Sequence, residues 1–328
     1  MVILATDQEE IGVIKDANIT INPNDDKKEF SVQIARSNWY EELSFGNYMY
    51  VPGTEFGGEI GEALTSTTLD YVELKGYTWR GLLSHKVIEP PEGSDYMVVS
   101  GELHTVMGSL IVPEFDGLFM VSYESTGIEV ENYQFDRYCT LLDGLVKMLE
   151  SVGYRLKLSH ERVKNWSNHV LVEAVPIVDY SSQIELSKDC KLNYTMDDKR
   201  NGVNHLIVTG KGELQERNVF HLYVWPDGSI QTEQYYTGKD EIVQVYENTS
   251  TETDQLQSEA EEKLKELCNT KTFQMDVEKL GLDVGIGDIV GGRDYLTGLY
   301  AAKPVKNITY SVTNDEVSKV YQLEGEKE

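Results

Sequence analysis

The sequence is poor in cysteine and in cationic side chains. Its three cysteines, Cys139, Cys190 and Cys268, lie far apart and form no C-x-x-C pair, which disfavours a disulfide scaffold and a structural zinc site. Lys and Arg total 29 against 56 Asp and Glu, so the formal net charge is −27. Because phosphate binding depends on clustered cations, this charge disfavours sequence-specific binding of nucleic acid and attachment to an anionic membrane.

Signals for membrane insertion and secretion are missing as well. No apolar run approaches the ~20 residues that a membrane-spanning helix needs, so no membrane anchor is expected. The first thirty residues have neither a basic start nor a long apolar segment. This predicts synthesis without a secretion signal, in a reducing compartment.

The sequence does contain enough apolar residues for more than one folded core. At ~100–200 residues per domain, a chain of 328 residues is expected to form two or three domains. Hydrophobic residues make up 40% and aromatic residues 10%, which argues against wholesale disorder. No segment repeats at the ~20–50-residue interval that marks solenoids and propellers.

Residues 1–115 have the pattern of short strands joined by turns. Phe30, Val32 and Ile34 alternate with small or polar residues, which predicts a strand with one buried face. A second strand is predicted over 71–80, and the glycine-rich segment 53–61 is interpreted as a mobile loop between strands. Regular strand spacing predicts a small barrel or sandwich, and 1–115 is assigned as an N-terminal β-barrel domain.

Residues 116–185 are assigned as an α+β insert domain. A helix is predicted from about 137 to 152 because Leu141, Leu145 and Met148 recur at helical spacing on a broad apolar arc. Gly153 stands where a left-handed C-cap residue is favoured. A strand is predicted to follow at 171–175.

Residues 186–328 are assigned as a second β-barrel domain that contains an acidic helix. Strands are predicted at 205–209 and 219–225, and the second is followed by the turn sequence Pro226-Asp227-Gly228. The helix is predicted at about 251–268, with Thr251 and Asp254 at capping-box spacing. Strands are predicted again over 272–328. The chain as a whole is therefore predicted to be a β-rich α+β protein.

The string from Gly285 to Asp294, GIGDIVGGRD, is the most suggestive local motif for chemistry. A dinucleotide fingerprint would need a glycine where Val290 stands, and a Walker loop would need Lys followed by Ser or Thr where Arg293-Asp294 stands. Two carboxylates within the string would also repel a phosphate. The pattern therefore predicts a glycine-rich β-turn rather than a phosphate loop.

The remaining candidates for chemistry also favour ordinary structural roles. The six histidines show neither an H-E-x-x-H motif nor another close metal-ligand spacing, and no G-x-S-x-G elbow is present. His205 and His221 lie in predicted strands, where a hydrogen-bonded or half-exposed imidazole is expected. The sequence therefore predicts no catalytic residue, no metal ligand and no cofactor-binding residue.

Several strings, taken together and in order, resemble a family of phage and prophage tail proteins that is related to the baseplate hub of contractile-tail phages. The resemblance covers nearly the whole chain. The strings are GYTWRGLL (76–83), IEPPEGSDY (88–96), LLDGLVKML (141–149), DYSS (179–182), GVNHLI (202–207), GELQER (212–217), QYYTG (234–238) and VGIGDIVGGRD (284–294).

The resemblance implies a non-enzymatic, structural role in the virion tail. It implies two small β-barrels with α/β insertions, one barrel in 1–115 and one that combines strands near 186–230 with 272–328. It also implies a ring-forming homotrimer between the tail tube and the tail spike or tip, next to the tape-measure protein, after synthesis in the bacterial host cytoplasm. An acidic lumen in such a ring would repel DNA during ejection.

A second class of function stays open from the sequence. The chain could be a tail-associated enzyme that acts on the cell wall, or a carbohydrate-binding module. Aromatic residues on a predicted strand, Tyr223 and Trp225, would offer stacking platforms for sugars. No motif in the sequence places a carboxylate pair for glycoside hydrolysis.

Overall fold

The computed structural model describes residues 2–6, 9–162, 168–182, 185–186, 193–212, 214, 217–249, 253–314 and 316–324. Cys190 and the predicted capping residue Thr251 lie outside these ranges. The chain folds into two compact units. Unit 1 comprises Met1–Asn193 and Gln274–Glu328, and unit 2 comprises Tyr194–Phe273.

Strands dominate the described residues and helices are few, so the prediction of a β-rich α+β protein is confirmed. The helices are α1 (Trp79–Ser84), α2 (Leu103–Ile111), α3 (Leu141–Glu150) and α4 (Thr253–Leu267), with short 3-10 turns at Arg36–Asn38, Val112–Glu114, Gly238–Asp240 and Val277–Leu280. The strands are β1 (Ile3–Ala5), β2 (Glu10–Val13), β3 (Ala17–Ile21), β4 (Glu29–Ala35), β5 (Tyr48–Tyr50), β6 (Gly57–Thr65), β7 (Tyr71–Thr78), β8 (Val98–Glu102), β9 (Phe119–Val121), β10 (Glu129–Gln134), β11 (Tyr154–Arg162), β12 (Asn168–Pro176), β13 (Glu185–Leu186), β14 (Tyr194–Lys199), β15 (His205–Thr209), β16 (Val219–Val224), β17 (Ile230–Gln231), β18 (Val243–Glu247), β19 (Thr270–Met275), β20 (Ile289–Asp294), β21 (Tyr300–Thr313) and β22 (Glu316–Leu323).

The largest sheet belongs to unit 1 and joins strands from both ends of the chain. Its order is β13-β20-β21-β3-β4-β7-β6-β5-β1-β2, with β22 paired to β21. The alternation of Phe30, Val32 and Ile34 buries one face of β4, as predicted. β21 pairs with β3 through Tyr310 opposite Ile21. The C-terminal strands thus pair with N-terminal ones in this structure, whereas the strands at 205–231 pair among themselves.

Two predictions for residues 1–115 are wrong in part: the end of the strand at 71–80 and the second half of the loop at 53–61. The strand predicted to reach Arg80 stops at Thr78, because the Thr78 side chain accepts a hydrogen bond from the Gly81 N–H at 3.3 Å and starts α1. The second half of the predicted mobile loop is strand β6. A Cβ added to Gly58 would lie 2.1 Å from the Tyr77 carbonyl oxygen, so this glycine permits close approach of two strands.

The helices α1, α2 and α3 share a core with the sheet β11-β12-β9. The predicted helix at 137–152 is confirmed, but α3 begins later, because Thr140 caps it by accepting a hydrogen bond from the Asp143 N–H at 3.1 Å. Leu145 and Met148 are fully buried, as the apolar arc predicts. Gly153 adopts the expected left-handed conformation, with φ at +75°.

Unit 2 contains the sheet β17-β16-β15-β18 with α4 packed on one face. The predicted strand at 205–209 is confirmed, and the Trp225 N–H donates to Ser229 O at 2.9 Å around the predicted turn. In α4, Leu256, Ala260 and Leu264 are buried at helical spacing. The assignment of three domains at 1–115, 116–185 and 186–328 stays a prediction.

Candidate functional site

The most specific of the strings that resemble the tail-protein family, 284–294, folds into a turn followed by β20. At the turn, the side chain of Asp288 is completely buried. Its Oδ1 accepts hydrogen bonds from Arg155 Nε at 2.7 Å and from the Val178 N–H at 2.9 Å. Its Oδ2 accepts from the Gly285 N–H at 2.9 Å. One carboxylate thus connects the turn, β11 and the segment after β12.

Two glycines allow Arg155 to pack against this turn. A Cβ on Gly285 would lie 2.6 Å from an Nη atom of Arg155. Gly287 has φ at +95°, in the left-handed region, and a Cβ there would lie 3.0 Å from the Arg155 Cβ. The spacing of the two glycines is therefore explained by close packing and backbone conformation.

This geometry is that of a structural turn, as predicted, and differs from a phosphate loop. In a phosphate loop, backbone N–H groups point at a bound anion. Here the N–H of Gly285 donates to the protein's own Asp288 carboxylate. The turn supplies its own anion, and a bound phosphate would meet that negative charge.

A cleft of about 250 Å³ lies beside the turn, and Arg80 and Arg155 are among the residues that line it. Arg80 is almost fully buried and donates to Glu55 Oε2 at 2.8 Å and to the Leu156 carbonyl at 3.0 Å. Arg155 is paired with Asp288. Since both guanidinium groups already have carboxylate partners, neither supplies an uncompensated charge for an anionic ligand.

The histidines of unit 1 have structural surroundings. His104 Nδ1 lies 2.5 Å from the Glu124 carbonyl oxygen, and its Nε2 accepts from the Ala174 N–H at 2.8 Å. His160 stacks on Tyr50 with ring centroids 3.4 Å apart. Burial, with a smaller contribution from nearby His169, lowers the pKa of His160 to about 4. His160 is therefore neutral at physiological pH.

The histidines of unit 2 form an arrangement that sequence reasoning missed. His205 Nδ1 lies 2.6 Å from Glu241 Oε1, and His205 Nε2 lies 2.7 Å from His221 Nδ1. The prediction of a hydrogen-bonded or half-exposed imidazole holds for each residue separately. The connection depends on the pairing of β15 with β16 and β18, which places Tyr223 and Val243 opposite His205. The predicted turn at 226–228 joins β16 to β17, so it gives no signal for either of these pairings.

In the ranges that the structure describes, the cysteines and the acidic side chains add no further site. Cys139 is partly buried against the core, and burial raises the pKa of its thiol. Cys268 is a free thiol at a half-buried position. Within the described part of the chain, no group of three or more His, Cys, Asp or Glu side chains has the geometry to hold a metal ion. Over the same ranges, no helix is long and apolar enough to cross a membrane.

Comparisons with known proteins give distant similarities to solved structures, and three of these are described here. No family model matches the chain, and no curated protein matches it. Prophage tail protein gp18 from Listeria monocytogenes is similar over 100% of this chain and 95% of its own, at 12% identity and a TM-score of 0.48. The 43 kDa tail protein of prophage MuSo2 from Shewanella oneidensis is similar over 98% and 97%, at 11% identity and 0.48. A tail protein from Neisseria meningitidis is similar over 98% and 96%, at 14% identity and 0.44.

These three structures are described as tail proteins, and two of them as prophage proteins. A similarity at this level assigns no role to any residue of this chain.

Proposed function

We propose that this chain is a structural component of a phage or prophage tail. In this proposal it is a hub that joins the tail tube to the tail tip or spike, assembles as a ring-forming homotrimer and has no catalytic role. The observation that carries the proposal is the ordered series of sequence strings from 76 to 294. The β-rich α+β architecture agrees with what that resemblance implies.

The geometry of the most specific string supports a role based on shape. Glycines 285 and 287 and the buried Asp288 connect a turn to β11, and their polar groups are engaged within the protein. These residues therefore preserve local architecture and do not present groups to a substrate. This is the kind of motif expected in a family whose members share a scaffold.

The partners and location in this proposal follow from the hub role. The chain would contact the tail tube protein, the spike or tip protein and the tape-measure protein in the virion tail, after synthesis in the host cytoplasm. The net charge of −27 supports a lumen that repels DNA. A trimer structure with Lys and Arg on the lumen wall would contradict this part of the proposal.

The edge strand β22 is our candidate for the contact between subunits. In the described residues β22 pairs with β21 alone, and Val317 and Val320 on it are 52% and 61% exposed. An edge with exposed apolar side chains is suited to pairing with another chain. We therefore expect the two valines to be covered in the trimer.

Light scattering on the purified chain tests the trimer and its interface together. We expect a mass of about three times 37.2 kDa. The double variant V317K/V320K should reduce this to the monomer mass, whereas V112K, at an exposed valine of unit 1, should leave the trimer intact. A monomeric wild type at every concentration up to about 100 µM, a weak affinity for an obligate ring, would contradict the trimer.

The alternative of a cell-wall-acting enzyme stays a prediction. Zymography of the purified chain in gels that contain peptidoglycan separates it from the structural role. A clear band of digestion would reverse our preference for a hub.

A further inference from the structure

One face of the four-stranded sheet of unit 2 carries a row of aromatic side chains. The opposite face is covered by α4, against which Leu206 and Leu222 pack. Because side chains alternate along a strand, His221 and Tyr223 on β16 point away from the helix. Trp225, just after β16, continues the alternation.

The rings of this row lie close to one another. The His221 and Tyr223 rings are nearly parallel, with an interplanar angle of 15° and centroids 6.2 Å apart. Trp225 and Tyr235 have centroids 5.5 Å apart, and Tyr235 and Tyr236 5.1 Å. At about 3.4 Å per residue, the stretch from 221 to 225 alone is about 14 Å long. The aromatic row, defined as His221, Tyr223, Trp225, Tyr235 and Tyr236, can therefore contact an extended ligand.

Hydrogen bonds hold Trp225 and the loop that bears Tyr235 and Tyr236 in place. Trp225 Nε1 donates to the Glu233 carbonyl at 2.9 Å. Gln234 Nε2 donates to the Tyr236 carbonyl at 2.9 Å and to Glu241 Oε1 at 2.8 Å. The loop that bears Tyr235 is thus fixed on both sides of this residue. Tyr235 itself remains 53% exposed, so it is a positioned side chain that is still accessible to a ligand.

The histidine pair next to the row presents a defined hydrogen-bonding group. The Glu241 carboxylate accepts from His205 Nδ1–H, so neutral His205 has its lone pair on Nε2. His221 Nδ1–H then donates to that lone pair. The remaining nitrogen, His221 Nε2, is therefore an acceptor in the neutral ring, on an exposed side chain. A ligand hydroxyl can donate a hydrogen bond to it.

We propose that unit 2 binds an uncharged polysaccharide along the aromatic row. A sugar ring has an apolar C–H face and a rim of hydroxyl groups. The ring faces of Tyr and Trp can stack on the C–H face of the sugar, since their electron-rich π-systems attract C–H groups. His221 Nε2 and the tyrosine hydroxyls can form hydrogen bonds with the sugar hydroxyl groups. The proposal goes beyond the hub role, because it concerns unit 2 alone and requires no trimer.

The charges around the row favour an uncharged ligand over an anionic one. Glu233 and Glu241 belong to the loop that holds Tyr235, and Asp227 lies in the turn next to Trp225. The segment 227–241 carries four carboxylates in all against one lysine, Lys239, and this net negative charge repels phosphate-bearing or uronic-acid polymers. Nucleic acid is disfavoured for the same reason, although aromatic rows of this kind also stack on bases.

Affinity electrophoresis of the full chain tests this proposal. Native gels contain a soluble glucan, a galactomannan or, as the anionic arm, polygalacturonate. We expect at least one neutral polysaccharide to retard the wild type and polygalacturonate to have no effect. W225A and Y235A should each raise the dissociation constant about tenfold through loss of a stacking ring. H221F, which keeps a ring but removes Nε2, should raise it about threefold to tenfold through loss of one hydrogen bond.

A matched control and a folding check make the result decisive. Y123A replaces a tyrosine of unit 1 that is 93% exposed, and its retardation should equal that of the wild type. Circular dichroism reports the fold of each variant, and if W225A does not fold, the surface variant Y235A decides. Lack of retardation by both neutral polysaccharides, equal retardation of Y235A and wild type, or retardation by polygalacturonate alone would overturn the proposal. Binding can fail while light scattering still shows a trimer, so the two proposals are tested separately.

Discussion

Replacement of Asp288 by alanine should destabilise unit 1 severely, because one buried carboxylate satisfies three donors. The change leaves the Arg155 guanidinium, whose side chain is 15% exposed, without its carboxylate. It also leaves the N–H groups of Val178 and Gly285 without their acceptor. Loss of one partner of a buried ion pair costs about 3–5 kcal/mol. Since a typical domain is stable by about 5–15 kcal/mol, D288A should remove about a fifth of the stability or more.

The asparagine variant and a nearby control separate charge from hydrogen bonding. In D288N the amide oxygen can still accept from Arg155 and Val178, but the NH₂ group faces the N–H of Gly285, which is also a donor. We expect a cost of about 2–3 kcal/mol, between the wild type and D288A. D283N changes an exposed aspartate five residues earlier and should stay within about 0.5 kcal/mol of the wild type.

Hydrogen exchange followed by mass spectrometry is the appropriate assay, because the two units can unfold in separate steps. Peptides that cover 176–182 and 284–290 report the turn directly. A loss of about 3 kcal/mol corresponds to exchange that is faster by about two orders of magnitude. If D288A exchanges at these peptides as slowly as D283N does, the central role of this carboxylate is refuted.

Two further changes test packing and protonation in unit 1. G287A and G117A both place an alanine at a positive φ, +95° and +90°, but only the Cβ at 287 approaches a neighbour, 3.0 Å from the Arg155 Cβ. Urea unfolding should show a loss of stability of about 1 kcal/mol for G117A and about 1 kcal/mol more for G287A. Equal losses for the two variants would contradict the packing argument. His160 has its pKa lowered to about 4, by burial first and then by the charge of His169, so the unfolded chain takes up the proton first as the pH falls. The stability that this residue contributes is complete above pH 6.5 and is lost towards pH 4, a change of about 3 kcal/mol. H160F should flatten the stability profile in that window, and an unchanged slope would show that another group is responsible.

The parts of the fold that sequence reasoning predicted well depend on local signals. The helix α3 follows from leucines at helical spacing and a glycine after them, and the strand at 205–209 from its apolar residues between polar segments. Such patterns lie within a few residues, so no knowledge of the tertiary structure is needed. For the same reason the turn at 285–288 was predictable from its glycines.

The errors arise where distant parts of the chain decide the structure. Gly58 lies in a strand because Tyr77 of the neighbouring strand approaches its backbone, and a glycine-rich segment by itself gives no hint of this. The chain of hydrogen bonds from Glu241 through His205 to His221 needs two strand pairings whose register the sequence does not reveal. The three donors to Asp288 likewise come from segments up to 133 residues away.

The pairing of β3 with β21 has a consequence for the time at which the large sheet can be completed. Tyr310 is translated about 290 residues after its partner Ile21, which at bacterial and eukaryotic synthesis rates is an interval of about 15–60 s. During that interval one side of β3 has no neighbour and is open to pairing with strands of other nascent chains. The excess of acidic residues makes such chains repel one another, so the same charge that is expected to keep DNA away also protects the growing polypeptide from aggregation.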